Sequence, residues 1–506
     1  MGAADFILNG EKKTAEQYIA ELRAISDTIA DESIREAIDA ITEKRISEIR
    51  ATETNVKITG KSYYVASDGD DANDGLSPES PWKTLQRVKD AAELTAGDGV
   101  FFKRGETFRG ELTAKEGVTY SAYGNGTKPL LTASSRNYAD PSLWKETDEP
   151  NVWVFAEPLH RDIGSIVFDD EYTPRKVYLS VEADGKHLDY RAKREFYSYH
   201  DLSEDMTFFH ENKETNETNE ERVYSDNLYF RCEKGNPGTL AKSIEMAPKT
   251  AVIRAVNNVH IDNLCIAWTN FGVASGNSCG LTVTNCEFKW IGGCIQKGPL
   301  LYNPARTFVT PYGNGIEIYG EAVDFTVDNC YFWQVYDAAV THQRGSHGDN
   351  PIHNKNVKYI NNVMEDCVYS VEIFLGESAL GNRSNNNTLV ANNILRKGGG
   401  FGHDARPDRG VTALIRNGRI IKNTTDYIVK NNIFDRSRER IISTANDDDG
   451  GNMAQYFDNI YVQTKGGKFC RRYGVEYAAD ENLGEALVKT GTEHNPKVIL
   501  IDEVDF

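Results

Sequence analysis

Two spacings of apolar residues divide the chain: three or four residues near the N-terminus, and two residues over much of the remainder. Between Thr14 and Arg50 apolar side chains recur every three or four positions, as in an amphipathic helix. Asp31, Glu32 and Ser33 interrupt this spacing and are residue types typical of a helix N-terminus. The pattern predicts two helices, which cover an end of the fold or hold a partner subunit.

From Val259 onward an asparagine repeatedly precedes a short apolar segment. Before each copy apolar and polar residues alternate, and β-branched residues are frequent, as in a half-buried strand. Successive asparagines are 22, 44, 33, 31, 39 and 27 residues apart. These spacings suggest one coil for the first interval, two coils for the second and one coil with a loop for the others. The seven copies are marked by Asn263, Asn285, Asn329, Asn362, Asn393, Asn432 and Asn459.

A stack of parallel coils explains this repeat better than a helical solenoid, because no helix-length apolar stripe accompanies the copies. An asparagine that recurs at one turn can bond to the coils above and below it. It thereby satisfies backbone groups that the sharp bend leaves unpaired. The repeat therefore predicts an all-β fold, a parallel β-helix, in which the asparagines have structural roles.

The regions outside the repeat have other patterns of apolar and polar residues. Short strands separated by glycine-containing turns predict the first coils over residues 59–134. Residues 135–250 do not continue this succession of short strands and glycine-containing turns. Their alternating stretches predict a β-rich insertion. The other boundaries are a helical segment over 1–58, the main β-helix over 251–475 and a C-terminal tail over 476–506.

Composition limits the possible partners. The 506 residues are 39% hydrophobic and carry a formal net charge of −19. This acidic balance argues against a nucleic-acid partner and favours a neutral or weakly charged one. No apolar run has the length of a membrane span, so we expect no membrane partner. The first residues lack the order of a secretory signal, so we expect a cytoplasmic location, with secretion as the alternative if a leader has been removed. The eight cysteines form no zinc spacing and are expected to be buried thiols.

An aspartate-rich turn raises the question of calcium. Asp68, Asp70 and Glu79 match the first, third and twelfth positions of an EF-hand loop. However, Ala72 and Asn73 occupy the fifth and sixth positions, and no helix precedes the turn. We therefore expect no metal and no other cofactor, with calcium at this turn as the alternative.

The chain resembles the right-handed parallel β-helix carbohydrate-active enzymes of the pectate-lyase-like superfamily. The resemblance rests on residues 63–65, the aspartate-rich turn, residues 81–85 and the asparagine-marked coils, and covers roughly residues 62–475. The interruption between early and later coils looks like the β-sandwich inserted in glycoside hydrolases of the β-xylosidase and fucosidase type. The resemblance implies a right-handed coil and a carbohydrate substrate. It leaves the reaction open, because lyases, hydrolases and non-enzymatic β-helices share these features.

Two carboxylates are expected on one face of neighbouring coils. Aligning Val335 with Val368 sets Ala339 level with Glu372. Asp337 and Glu372 would then lie about 4.8 Å apart along the axis and two residues apart along the strand. A glycosidase needs two such carboxyls, one as general acid and one as nucleophile or base. Asp337 and Glu372 are therefore the predicted catalytic residues, with a turn cap and an arginine pair as the alternative roles.

Other polar residues on these segments are predicted to bind the substrate. They converge on successive coils, and a glycine-rich, proline-containing stretch among them is typical of a loop that borders a cleft. Aromatic rings nearby could stack on sugar rings: Trp290, Trp333, Tyr336 and Tyr369. The predicted binding residues are Glu317, His342, Gln343, His403, Asp404, Arg406, Asp408 and Arg416.

Three functions remain open at this level. A glycoside hydrolase is the leading interpretation. A polysaccharide lyase acting on a uronic-acid glycan is the second, with Arg406 or His342 neutralising the substrate or abstracting its proton. The third is a non-catalytic β-helix that binds a glycan or assembles through its N-terminal helices. A close carboxylate pair in the groove would favour the first over the third.

Overall fold

The computed structural model describes residues 8, 13–26, 28–215, 222–297, 309–345, 348–405, 411–419, 421–444 and 454–502. They form the predicted right-handed parallel β-helix, whose coils each contribute strands to three faces. Side chains of face 1 alternate between solvent and the interior, and its inward positions stack from coil to coil. One such column consists of Val283, Val327, Tyr359, Val390, Val429 and Tyr456.

Faces 1 and 2 extend from the first coils to the last. In both, each strand pairs in parallel with the equivalent strand of the next coil. The strands of face 1 are Ser62–Val65, Gly99–Lys103, Thr119–Tyr123, His260–Asp262, Thr282–Thr284, Thr326–Asp328, Ile352–Ile360, Arg383–Ala391, Thr424–Lys430, Gln455–Phe457 and Glu493–His494. The strands of face 2 are Thr107–Arg109, Leu130–Thr132, Cys265–Thr269, Glu287–Ile291, the first parts of Tyr331–Arg344 and Val363–Leu375, Ile394–Gly398, Ile433–Ser437, Ile460–Thr464 and Lys497–Ile501.

Face 3 contains the second parts of the two long strands. These strands bend at Gln334 and Asp366, whose positive φ angles of 55° and 53° turn the chain from face 2 to face 3. The other strands of face 3 are Leu112–Thr113, Ala251–Arg254, Phe271–Ser275, Ile316–Tyr319, Ala413–Arg419 and Arg440–Thr444.

Asparagines mark the turn from face 1 to face 2 in two adjacent positions. The outer position has a positive φ angle, which asparagine tolerates better than most residues. The inner position is buried, and there each Oδ1 accepts the backbone N–H of the equivalent residue one coil earlier at 2.9 Å. Each inner Nδ2 donates to a strand carbonyl. The outer residues are Asn263, Asn285, Asn329, Asn361, Asn392, Asn431, Asp458 and Asn495, and the inner ones are Asn362, Asn393, Asn432 and Asn459.

Of the seven predicted copies, the first three are therefore marked by an asparagine in the outer position. The last four are marked by an asparagine in the inner position. Cys330 occupies the inner position of its own coil. Its Sγ accepts the N–H of Cys286 at 3.4 Å and donates to the carbonyl of Val283 at 3.7 Å, which are the bonds that an inner amide makes.

The prediction of two coils across the 44-residue interval is wrong. Glu287–Ile291 pairs directly with the strand that begins at Tyr331, so the interval holds one coil with an inserted hairpin.

The N-terminal helices, Ala15–Ile25 and Asp31–Arg50, lie along face 2. Thr14 and Gln17 form a capping box at the start of the first helix. The apolar stripe of both helices packs on outward side chains of face 2, including Val363, Ile394 and Ile433. The helices thus cover a side of the β-helix and not an end, and the predicted subunit contact stays a prediction. Among the described helices, none combines the length and the apolar content needed to cross a membrane.

The predicted β-rich insertion leaves the coil after Thr132 on face 2 and returns at Ala251 on face 3. It contains a five-stranded, a three-stranded and a two-stranded sheet. Their strands are Trp144–Glu146, Val152–Phe155, Arg175–Lys176, Thr207–Thr215 and Arg222–Arg231; Leu179–Val181, His187–Asp189 and Arg194–Glu195; and Ile163–Phe168 with Ile244–Pro248.

The predicted C-terminal tail over 476–506 is wrong for its described part. Glu493–His494 and Lys497–Ile501 add a last coil to faces 1 and 2. The helix Leu483–Lys489 packs Leu483 and Leu487 into the core of that end. At the opposite end, the helix Leu85–Asp90 packs into the core beside the first coils.

The aspartate-rich turn is closed by its own contacts. Asp70 Oδ1 accepts the N–H of Ala72 at 2.9 Å, and Asp68 faces the ammonium of Lys103 at 3.3 Å. Within the ranges that the structure covers, no group of three or more His, Cys, Asp or Glu side chains is arranged to hold a metal ion. Calcium at this turn stays an untested alternative.

Replacing Asn393 by alanine should destabilise the fold by about 2–4 kcal/mol, because it leaves the buried N–H of Asn362 without its acceptor and removes the hydrogen bond to the carbonyl of Tyr359. The matched control is Asn392→Gly, which removes one half-exposed bond at a positive φ angle that glycine accepts, and should cost less than about 1 kcal/mol. Urea denaturation of both variants measures the difference. Equal losses would contradict the role of the inner position.

Candidate active site

A row of side chains crosses face 3 at right angles to its strands. The parallel registers align one residue of each strand with one of the next, so neighbours in the row are about 4.8 Å apart. Flanking residues such as Ile316 and Ile318 belong to the core, so the side chains of the row point outward. In coil order the row consists of Arg254, Ala274, Glu317, Thr341, Glu372 and Arg416.

Three excursions of the chain border this row. The insertion, the hairpin formed by Cys294–Lys297 and Thr310–Tyr312, and the turn Gly400–Ala405 all leave the coils between face 2 and face 3. A groove of about 510 Å³ opens beside Glu317 at the early-coil end of the row. Face 3 thus has the concave, polar character expected of a ligand site.

Glu317 carries a strongly perturbed carboxyl. The residue keeps some exposed surface, but its carboxylate is enclosed by protein. Burial above all, together with the nearby charges of Asp337 and Glu372, raises the pKa of Glu317 to about 7. Hydrogen bonds from Asn314 and Gln343 act in the opposite direction. Three carboxyls therefore influence one another in this part of the groove.

The two amides fix which oxygen of Glu317 can hold a proton. Asn314 Nδ2 and Gln343 Nε2 both donate to Glu317 Oε2, at 2.5 and 2.6 Å. Because Oε2 already accepts two hydrogen bonds, the proton of the neutral acid belongs on Oε1. The arrangement presents Oε1 as a proton donor. It also places the predicted binding residue Gln343 beside a carboxyl.

Glu372 is 1% exposed and has a cationic neighbour. Arg416 Nε lies 3.2 Å from Glu372 Oε1, so the arginine pair that was the alternative role for Glu372 is present. The guanidinium is held in turn by Tyr369, whose hydroxyl accepts a hydrogen bond from Nη1 at 2.8 Å and whose ring centroid is 4.8 Å away. A positive charge beside this carboxylate stabilises its ionised form.

Thr341 lies between the two glutamates in the row. Its Oγ1 is buried and has no hydrogen-bond partner among the described residues. A buried hydroxyl in this position can bond to a ligand that spans the two carboxyls. Sequence reasoning missed Thr341, because a threonine within a strand usually signals β propensity alone.

The predicted alignment of Asp337 with Glu372 is wrong in register. Thr341, and not Ala339, stands opposite Glu372. Val335 pairs with Cys367 and not with Val368, and an irregularity between Val335 and Ala338 shifts the register by one further residue. Asp337 therefore lies at the bend into face 3, outside the row and 4% exposed. Its charge still reaches Glu317.

His342 is wrong as a predicted binding residue. Its side chain points into the coil, where Nδ1 lies 2.9 Å from the hydroxyl of Tyr359 and Nε2 lies 3.2 Å from Asn385 Oδ1. Both partners belong to face 1, and the imidazole is fully buried. Burial lowers the pKa of His342 to about 4, so the ring is neutral near pH 7. Alternation along the strand explains the error, since His342 follows the outward Thr341.

The remaining predicted residues are close together in the sequence, and two of them lie in a described turn. His403 lies in the turn Gly400–Ala405, which packs against the two long strands, and its Nδ1 is 2.8 Å from Thr412 Oγ1. Asp404 lies in the same turn. Arg406 and Asp408 lie outside the described residues. Substrate contacts by all four stay predictions.

The predicted aromatic platforms are largely enclosed. Trp290 and Tyr336 are 2% and 1% exposed, and both pack against Phe401. The groove beside Glu317 is lined instead by Phe271 and Tyr312, which sequence reasoning did not single out. They come from the preceding coil and the hairpin, and only the three-dimensional fold brings them to the row.

A buried ion pair ties the insertion to the hairpin that borders the groove. Lys176 Nζ donates to both carboxylate oxygens of Asp162 at 2.7 and 2.8 Å, and Asp162 Oδ2 accepts the N–H of Ile295 at 2.6 Å. The hydroxyl of Tyr178 donates to the carbonyl of Gly293 at 2.6 Å. Loss of either charge would leave the other buried and uncompensated, so the pair holds the insertion and hairpin together.

These features define a right-handed parallel β-helix protein with a carboxyl-bearing groove on its third face. No protein-family model matches the chain. It is 36% identical over 167 residues to lacto-N-biosidase of Bifidobacterium longum subsp. longum, a match that covers 27% of this chain and 10% of that protein. The chain thus spans about a tenth of the length of the curated relative that it matches. This similarity confirms the predicted resemblance to carbohydrate-active enzymes.

Solved structures with a similar course of the chain are distant in sequence. The complex of XylC with xylose has a TM-score of 0.46 and 12% identity over 81% of this chain and 70% of that chain. A GH136 lacto-N-biosidase from Eubacterium ramulus has a TM-score of 0.39 and 13% identity over 96% of this chain and 74% of that chain. At this level of similarity the fold assignment depends on the strand registers of the chain itself.

The Glu317→Gln variant should lose less stability with rising pH than the wild-type protein. The carboxyl has a pKa of about 7 in the folded state against an ordinary 4.5. Its contribution to stability is therefore fully present below the ordinary value and is lost as the pH rises through about 7. Urea denaturation between about pH 4 and about pH 8 measures the two slopes, with Glu485→Gln as control, because the Glu485 side chain is exposed. Parallel slopes would contradict the raised pKa.

Proposed function

We propose that the protein hydrolyses glycosidic bonds with the carboxyls of face 3. The observation that carries this proposal is the arrangement of Glu317 and Glu372 on either side of Thr341. One carboxyl is largely neutral below pH 7, and the other lies beside an arginine. Two carboxyls in such different environments are what acid-assisted cleavage of a glycoside requires. The partial similarity to a lacto-N-biosidase supports the same class of reaction and a carbohydrate substrate.

In this mechanism Glu317 is the general acid. Its Oε1 donates a proton to the glycosidic oxygen as the bond to the anomeric carbon breaks, and the sugar leaves as a neutral alcohol. The amides of Asn314 and Gln343 hold Oε2 and thereby orient Oε1. The charge of Asp337 keeps the proton on Glu317 until the substrate oxygen accepts it.

Glu372 is the ionised partner. It acts on the anomeric carbon either directly as nucleophile or through a water molecule that it deprotonates. Arg416 holds the carboxylate in place and stabilises its negative charge. The Cα atoms of Glu317 and Glu372 are two strand spacings apart, about 9.5 Å, with Thr341 as the floor between them. Asp337 keeps its predicted catalytic role as the alternative partner of Glu317.

Variants of the two glutamates should separate acid from nucleophile. On a panel of 4-nitrophenyl glycosides, Glu372→Gln should lower kcat/KM by about 100-fold or more for the sugar that is cleaved. Glu317→Gln should have a smaller effect with 4-nitrophenol and a larger one with poorer leaving groups, since those need the proton. Glu485→Gln serves as control and should stay within about twofold of the wild type. Asp337→Asn tests the alternative partner: if it abolishes cleavage while Glu372→Gln does not, the assignment of Glu372 is wrong.

The pH dependence of kcat/KM tests the same assignment. Because Glu317 must be protonated, the wild-type rate should fall as the pH rises above about 7. In Glu317→Gln this alkaline fall should disappear while some activity on 4-nitrophenyl substrates remains. An unchanged alkaline limb in the variant would assign that limb to another group and remove Glu317 as the acid.

A further inference from the structure

We propose that the groove beside Glu317 is a subsite for a sugar with an anionic substituent, a carboxylate or a sulfate. This inference rests on the proposed function for its place in the reaction and goes beyond it in naming the class of substrate. It is carried by the residues at the early-coil end of the row, which the hydrolysis mechanism does not use.

The row continues past Glu317 with the same spacing. Ala274 is the neighbour of Glu317, and Arg254 is the next residue. Arg254 and Glu317 are therefore two strand spacings apart, about 9.5 Å, over the small side chain of Ala274. Glu317 and Glu372 have the same separation over Thr341. The row thus contains two similar shallow positions, one over Ala274 and one over Thr341. Glu317, the candidate proton donor, lies between them.

The wall of the shallow position over Ala274 is aromatic. Phe271 and Tyr312 meet edge to face with their ring centroids 5.1 Å apart, and both line the groove of about 510 Å³. Both rings keep part of their surface exposed. Flat apolar surfaces of this kind suit the C–H face of a sugar ring. The groove is therefore shaped for a sugar and not for a small inorganic ion alone.

The charges around this position are mainly positive. The exposed Arg254 ends its strand, and Lys249 Nζ lies 5.8 Å from the centre of the Tyr312 ring. The nearby carboxylate of Glu111 accepts a hydrogen bond from Arg161. Against the effect of burial, this bond, a hydrogen bond with Thr250 and the charges of Arg161 and Arg254 hold the pKa of Glu111 below its usual range. Near neutral pH Glu317 itself carries at most part of a negative charge.

The local positive charge is opposite in sign to the net charge of the whole molecule. A net charge of −19 suggested a neutral or weakly charged partner, but a ligand responds to the charges within a Debye length. Two cationic side chains beside an aromatic wall attract a negative group on a sugar and fix its orientation. The anionic substituent then faces Arg254 and Lys249 while the sugar ring lies over Ala274.

Binding of monosaccharides to the full chain tests this subsite without any need for cleavage. We would titrate the protein with glucuronate, glucose 6-sulfate and glucose and follow binding by NMR. Glucuronate, glucose 6-sulfate or both should bind at least about tenfold more tightly than glucose, and 1 M NaCl should reduce the difference. A preference for one anion alone supports the proposal and identifies the substituent.

Three variants test which residues cause the preference for anionic sugars. Arg254→Gln should remove the preference for the anionic sugars and leave glucose binding within about twofold. Ala274→Leu fills the shallow position and should weaken all three sugars. Arg440→Gln is the control, since Arg440 is also on face 3 but binds Glu476 at 2.7 Å, away from the groove. It should change nothing.

Two results would overturn the proposal: equal binding of glucose and both anionic sugars by the wild-type protein, or a preference that Arg254→Gln retains. Failure of the proposed hydrolysis is a separate result. If no glycoside is hydrolysed and the anionic preference still depends on Arg254, the subsite stands and the catalytic assignment falls. An unsaturated, ultraviolet-absorbing product from a uronic-acid oligosaccharide would then identify a lyase in place of a hydrolase.

Discussion

The buried amide stack at the turn from face 1 to face 2 is the constraint on which the rest of the structure depends. Each inner Oδ1 must meet a backbone N–H one coil away, so the stack sets the register of successive coils. A slip of one residue would turn every side chain of a strand to the opposite surface. Glu317, Thr341 and Glu372 form a row because the parallel register of face 3 stays constant beyond the irregularity between Val335 and Ala338.

Much of the fold follows from local chemistry that can be read from the sequence. The two-residue alternation and the recurring asparagines identify stacked strands, because both are consequences of the coil itself. The loops are harder to predict. The hairpin at Cys294–Lys297 lengthens one interval to 44 residues, and nothing local distinguishes that from two coils. The last coil has a diverged marker, since Pro496 and Lys497 separate Asn495 from the apolar residues of the strand that follows.

The candidate site is only partly predictable, because a local sequence pattern identifies residues on regular strands but not those placed by loops or strand irregularities. Glu317, Gln343, Glu372 and Arg416 lie on regular strands, and outward polar residues there stand out against the apolar pattern. Asp337 lies within the irregularity between Val335 and Ala338, and no local pattern in the sequence marks that position. His342 points inward because it alternates with the outward Thr341. Arg254 and Tyr312 come from distant parts of the chain, so their position beside Glu317 depends on the closed coil.

The ion pair of Asp162 and Lys176 has a consequence for modularity. The insertion has its own sheets and resembles an accessory domain that could be exchanged or deleted. Its buried charges, however, are completed by the backbone of a hairpin more than a hundred residues further along the chain. The two segments therefore depend on each other to satisfy their buried polar groups. A β-helix with the hairpin but without the insertion would leave the N–H of Ile295 and the carbonyl of Gly293 without these partners. The insertion on its own would expose the buried charges of Asp162 and Lys176.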